Sequence, residues 1–129
     1  MLNLTVQIKV NFVIFRKYYK EHGKLVLDLG AYTTGLEFAT GSTALILGKP
    51  AKEYFSAGLE SLQLKADDVV MIGDDINSDV GGAQRCGMRG VLVKTGKFRK
   101  SDESHQVKPD ATVDNFKSAI DSILESNNL

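Results

Sequence analysis

A single cysteine, Cys86, stands among the 129 residues, so no internal disulfide can form, and a reducing compartment, by default the cytoplasm, is expected. There is no excess of either charge: sixteen Lys plus Arg balance sixteen Asp plus Glu. Nucleic acid and anionic membrane both select a basic footprint, and the balance disfavours each of them as a partner. No internal repeat and no low-complexity segment is present. The N-terminal region has no unbroken apolar run either. Gln7, Lys9 and Asn11 interrupt it and no small-residue cleavage site follows, so it does not read as a targeting segment. A chain of this length allows one domain with a modest core and argues against two.

What the N-terminal region does have is alternation. Leu2, Leu4, Val6, Ile8, Val10, Phe12 and Ile14 occupy every even position, with mostly polar residues between them, which is the period of a half-buried strand. Such a strand presents an open edge unless it pairs within the chain or with a second copy, as in a homodimer. The following "FRKYYKEHGKLVLDLG" reads as two short strands around a turn at His22 and Gly23, with Asp28 as a turn residue. Residues 31–39 form a helix carrying Leu36 and Phe38. Residues 43–47, "TALIL", read as a short buried strand ending in Gly48-Lys49-Pro50. Pro50 suits the first turn of a helix and holds Lys49 extended before it, and Phe55, Leu59 and Leu62 follow at helical spacing.

Residues 69–73, "VVMIG", are continuously apolar, as strands covered on both faces are. Asn77 or Ser78 caps the next helix, which shows Val80 and Ala83 on one side and stops at Gly87. "GVLV" is another buried strand. "DATVDNF" and "KSAIDSILESN" read as a last strand and an amphipathic helix presenting Ala119, Ile120, Ile123 and Leu124. Strand and helix alternate from Thr43 onward, which predicts an α/β fold with a parallel sheet.

The chemistry concentrates at the end of "VVMIG", where Asp74, Asp75 and Asp79 gather. Open α/β sheets bind ligands beyond the carboxyl ends of their strands. Two like charges about 4 Å apart repel by roughly 4 kcal/mol at an effective dielectric near 20, so the cluster needs a cation or a proton. Magnesium fits, as a hard ion that keeps several waters and takes one or two carboxylates. Asp74, nearest the strand end, is the direct ligand in this reading. Asp75 and Asp79 orient metal-bound water or hold Asp74. Taken alone, Asp79 reads equally well as a charge favouring a helix N-terminus.

Lys49 stands before a helix N-terminus, against the helix dipole. The placement makes sense if the lysine and the free N–H groups address one anion, a phosphate. An isolated Gly-Lys-Pro would be no more than an exposed lysine, but the acidic strand end that follows favours the phosphate. Lys94, Lys97, Arg99 and Lys100 could steer an anionic substrate, although a water-facing loop is the expectation for such a charge run. His22 and His105 lack partners at metal-ligand spacing, and Cys86 reads as packed rather than nucleophilic.

Gly48-Lys49-Pro50, a helix and then "VVMIGDDINSD" resemble the third and fourth motifs of the haloacid dehalogenase-like phosphatases. "GDDINSDVGGAQRCGMRGVLVKTGKFRKSDE" resembles most closely the subgroup that hydrolyses phosphoamides and inorganic pyrophosphate. The similarity runs from about Phe12 through the C-terminus. It implies the C-terminal half of a doubly wound, Rossmann-like parallel sheet over residues 41–129 and the end of a cap domain with its return to the core over 12–40. Residues 1–11 are an atypical strand unlike the family. The resemblance also implies magnesium-dependent hydrolysis of a small phosphomonoester, phosphoamide or pyrophosphate, with a phosphohistidine or phospholysine protein as a further substrate. Lys49 would steady the nucleophile and the transferring phosphoryl group, Asp74 would bind magnesium, and Asp75 and Asp79 would support it. The family's Asp-x-Asp nucleophile motif occurs nowhere in the 129 residues. The resemblance therefore implies a truncated form without the attacking group. The competing class is a non-catalytic α/β interaction or regulatory module, including a receiver-like domain. A receiver places its acidic pair after the first strand and its lysine near the last, whereas here Lys49 precedes Asp74.

Overall fold

Residues 17–125 are described by the computed structural model, and the alternating strand expected over residues 2–14 lies outside them. The chain divides into two compact units, Met1–Gly48 and Lys49–Leu129.

In the first unit, β1 (Tyr18–Glu21) and β2 (Lys24–Leu27) pair antiparallel with Tyr18 opposite Leu27 and Glu21 opposite Lys24. His22 (φ 47°) and Gly23 (φ 79°) make the two-residue turn. Both are left-handed, as the tightest hairpin turns require. The hairpin is the one the sequence predicts. Asp28 does more than turn the chain, because it caps α1 (Leu29–Thr40) by accepting the Leu29 N–H at 2.8 Å. Gly41, at φ 66°, closes that helix with its N–H on the Glu37 carbonyl. Leu36 and Phe38, which the helix carries, are both exposed, Phe38 at 92%. The strand expected over residues 43–47 does not form. Only Ile46 makes an isolated bridge, and Leu45 is exposed. Part of the cause is local: the Glu37 side chain accepts the Ala44 N–H at 2.8 Å, removing a donor that a strand ladder would need.

The second unit is built on a three-stranded parallel sheet in the order β3 (Val70–Gly73), β4 (Arg89–Val93), β5 (Ala111–Val113). Val70 pairs with Arg89 and Gly73 with Leu92, while Val91 pairs with Ala111. Side chains alternate across β4. Leu92 packs with Ile76 and Val80 on one face, and Val91 and Val93 pack with Ala119 on the other. The helical turn Ile76–Gly81, which runs into α3 (Gly82–Gln84), supplies the first layer and α4 (Phe116–Glu125) the second, and both faces of β4 are covered. β3 is only half-buried along its length, against the sequence expectation. It has a hydrogen-bonded strand neighbour on one side alone among the described residues, which leaves it as an edge.

Helix α2 (Lys52–Leu62) adds Phe55 to a third cluster with Ala83 and Met88, and Cys86 packs at its margin. Its cap is Ala51, so Pro50 lies just outside the helix rather than in its first turn, following a cis peptide bond from Lys49. Leu62 and Leu124 are exposed although their spacing predicts core positions, and each lies in the last turn of its helix. No helix among the described residues is long and apolar enough to cross a membrane.

Candidate functional site

Strand β3 ends at Gly73 and delivers Asp74 and Asp75 in the next two positions. Asp75, not Asn77 or Ser78, caps the helical segment beyond the strand. Its Oδ1 accepts the N–H groups of Asn77 at 3.1 Å and Ser78 at 2.9 Å. A carboxylate is the better cap here, because it satisfies two free amides and also places negative charge at the helix N-terminus. The backbone then takes one wide π-helical turn, Ile76–Gly81, before narrowing into α3. That turn carries Asp79 back under the strand end, where it is 4% exposed. Its Oδ2 accepts the Asp75 N–H at 3.2 Å. The approach is so close that a Cβ on Gly73 would overlap the Asp79 side chain, which makes glycine a requirement at that position.

Two lysines meet the three carboxylates. Lys49 Nζ donates to Asp79 Oδ1 at 2.7 Å, and its ammonium lies 5.8 Å from the centre of the Tyr54 ring. Lys97 makes two contacts: its backbone N–H donates to Asp74 Oδ2 at 2.8 Å, and its Nζ donates to Asp75 Oδ2 at 3.0 Å. The residue before it, Gly96, is left-handed at φ 49°, and a Cβ there would collide with the Asp74 carboxylate. Among the described residues Asp74 makes no ion pair.

Charge follows from this geometry. Burial pushes the Lys49 pKa down, but the hydrogen bond and charge of Asp79, with Tyr54 and Asp74 adding to them, outweigh it and hold the ammonium above its ordinary value. Burial pushes Asp75 up, but the Ser78 N–H, the Lys97 ammonium and the Asn77 N–H outweigh it and keep the carboxyl below the usual carboxylate range.

The four residues singled out in the sequence, Lys49, Asp74, Asp75 and Asp79, thus converge at the carboxyl end of β3. Their partners differ from expectation in two respects. Lys49 does not stand free at the N-terminus of α2 but is turned onto Asp79. Lys97, expected to face water, holds two of the aspartates. The signal for Lys97 was positional: Gly73 pairs with Leu92, so a loop leaving β4 after Val93 must pass beside Asp74. Register is not readable from the residues alone. His105 accepts the Val107 N–H at Nδ1, 3.0 Å away, and joins no metal cluster. Among the described residues no three or more His, Cys, Asp or Glu side chains are arranged to hold a metal ion.

Residues 46–119 match the family model described as HAD-hydrolase-like. Over 110 residues, 84% of the chain, the sequence is 53% identical to the phospholysine phosphohistidine inorganic pyrophosphate phosphatase of Homo sapiens. The chain spans 41% of that relative's length. Among solved structures, a p-nitrophenyl phosphatase from Archaeoglobus fulgidus superposes with a TM-score of 0.73 at 26% identity, over 84% of this chain and 44% of its own. A glycerol phosphate phosphatase from Mycobacterium tuberculosis, solved in complex with magnesium, superposes with a TM-score of 0.69 at 21% identity, over 81% of this chain and 32% of its own. That last similarity speaks to the fold alone. The match to the family model, the extent of identity to the human relative and the doubly wound arrangement around β4 agree, and the chain belongs to the HAD-hydrolase-like family.

Proposed function

We propose that this chain supplies the lysine and metal half of a magnesium-dependent phosphatase site. The observation that carries the reading is the linked set Lys49–Asp79–Asp75–Asp74 at the carboxyl end of β3, where α/β sheets bind ligands. The donor chemistry fits magnesium. The ion takes oxygen ligands, needs only one or two carboxylates, and completes its shell with water and substrate phosphate. Asp74 would be the direct ligand. Asp75 would hold the strand end in place through its bonds to Asn77 and Ser78, and Asp79 would hold Lys49. When bound, magnesium would neutralise charge on the transferring phosphoryl group.

Lys49 would act on the same group. With its ammonium kept charged by Asp79 and more than a third exposed, it can present a proton donor to a phosphate oxygen. The substrate class is a small phosphomonoester, phosphoamide or pyrophosphate, with phosphohistidine or phospholysine on a protein as a further substrate, and the compartment proposed is the cytoplasm. The covalent route of the family uses an attacking aspartate, and the 129 residues hold no Asp-x-Asp to provide one. That group would come from a segment outside this sequence.

The test is phosphate release from p-nitrophenyl phosphate and pyrophosphate by the purified chain, alone and co-expressed with a relative's segment carrying Asp-x-Asp. The expected result is negligible turnover alone and magnesium-dependent turnover in the complex, abolished by Asp74→Asn and strongly reduced by Lys49→Ala. A stable complex that is inactive, or one indifferent to both substitutions, would overturn the assignment.

A further inference from the structure

Three carboxylates at one strand end, were all of them free, could supply several of the oxygen ligands that calcium requires. Calcium takes six to eight oxygen ligands, often from several carboxylates, and tolerates irregular geometry. Magnesium is smaller, keeps its water, and is satisfied with one or two. In this chain the three carboxylates are not equally available. Asp79 is turned inward onto Lys49. Asp75 spends Oδ1 on two backbone amides and Oδ2 on the Lys97 ammonium. Asp74 has Oδ2 held by the Lys97 amide, and that contact can form only because Gly96 carries no side chain. Lys97 therefore both occupies the Asp75 oxygen that the two backbone amides leave open and fixes one oxygen of Asp74.

We infer that Lys97 is a specificity-determining residue that restricts this site to magnesium by withholding Asp75, and so excludes calcium. The inference rests on the reading of Asp74 as the metal ligand. Its two electrostatic consequences can be separated. A nearby ammonium repels any divalent cation, and this lowers the affinity for magnesium and calcium alike. Withholding a carboxylate oxygen matters far more to the ion that wants many ligands, so it appears in the ratio of the two affinities. The ratio reports ligand supply, and the absolute values report charge.

The experiment is titration of the full 129-residue chain with magnesium chloride and with calcium chloride, followed by ¹⁵N-detected NMR at the Asp74 and Gly96 amides. Lys97→Met, Lys97→Gln and Lys97→Arg are measured in parallel, and unchanged β4 and β5 signals confirm that each is folded. In Lys97→Met and Lys97→Gln the calcium affinity should rise about tenfold more than the magnesium affinity, whereas Lys97→Arg should keep the wild-type ratio. Adding Asp75→Asn to Lys97→Met should return the ratio to the wild-type value, because the released carboxylate is then gone. Equal gains for both ions, or a shifted ratio that survives Asp75→Asn, would overturn the inference while leaving Asp74 as a metal ligand. No magnesium response at Asp74 in the wild type or any variant would overturn both readings.

Discussion

Lys49 and Asp79, thirty residues apart in sequence, are joined at 2.7 Å, and Asp79 is almost fully buried while Lys49 keeps more than a third of its side chain in water. The pair is thus asymmetric. Removing the lysine strands a buried carboxylate, whereas removing the carboxylate leaves a lysine that can solvate itself. Lys49→Met should destabilise the second unit by about 1–2 kcal/mol, less than for a fully buried pair because water reaches the site and the Asp75 N–H still serves Asp79. Lys49→Met combined with Asp79→Asn should cost less than the sum of the single changes. Urea unfolding measures all three, and strict additivity would mean that the contact carries no energy.

Two glycines near the carboxylates should respond differently to alanine. At Gly73 the new Cβ would meet the Cβ and carboxylate of Asp79, which the fold has buried and cannot easily move. Gly73→Ala should cost about 1–3 kcal/mol and loosen the Lys49–Asp79 contact. At Gly96 the obstacle is the outer end of the Asp74 side chain, which can swing away, so the expected stability loss is about 1–2 kcal/mol from the left-handed backbone. Its larger effect should fall on metal binding, since the displaced group is the proposed ligand. Thermal unfolding combined with magnesium titration separates the two outcomes, and a Gly96→Ala protein that binds magnesium as the wild type does would remove this loop from the site.

At the opposite end of β4, Asp110 Oδ2 accepts the Gly90 N–H at 2.7 Å and the Gln84 side-chain amide at 3.1 Å, while its own N–H donates to the Gly90 carbonyl. Burial pushes the carboxyl up, but these hydrogen bonds, with the charge of Arg89, together outweigh it and hold the pKa below the usual carboxylate value. A carboxyl depressed in the folded state adds stability above its unfolded pKa, near 4, and loses it as pH falls through the lower folded value. Asp110→Ala should therefore destabilise the protein by about 1 kcal/mol at neutral pH, a figure reduced for solvent exposure, and the difference from wild type should shrink on acidification below about pH 4. Denaturant midpoints across that range test it, and a gap that widens towards acid would contradict the sign.

Legibility in the sequence tracks the range over which each cause acts. The hairpin at His22 and Gly23, the buried strand at Val91 and Leu92 and the apolar stripe at Val80 and Ala83 rest on local pattern, and all three appear in the structure. The candidate residues could be placed because a strand end and a helix start lie within six positions of each other. The failures are long-range. The stretch around Ile46 has strand-like residues, but a strand needs a ladder, and composition does not say where its neighbour lies. The two contacts of Lys97 depend on the parallel register of β3 with β4, which no spacing within either strand encodes, and the partner of Lys49 lies thirty residues away in sequence. Leu62 and Leu124 have helical spacing that would suit a core, but spacing alone does not reveal whether the last turn of a helix has anything to pack against.

The edge that β3 presents among the described residues carries a last expectation. Beside it, Tyr54, Leu59 and Leu62 of α2 and Val69, Met71 and Met88 line an apolar groove. A half-buried parallel strand with an open side and adjoining apolar surface is prone to associate. The purified chain should self-associate in a concentration-dependent manner. Leu62 is 60% exposed, so it contributes little to packing while adding to the apolar rim of the groove. Leu62→Lys should reduce association, with unfolding free energy, measured in dilute solution, within about 0.5 kcal/mol of the wild type. Phe55→Ala is the contrasting variant: the ring is 3% exposed against Ala83 and Met88, and its removal should cost about 3–5 kcal/mol by leaving a cavity. Sedimentation velocity over a concentration series gives the association, and urea unfolding gives the stability. A wild-type chain that sediments as a monomer at every concentration, with Leu62→Lys indistinguishable from it, would show that the groove and the open edge attract nothing.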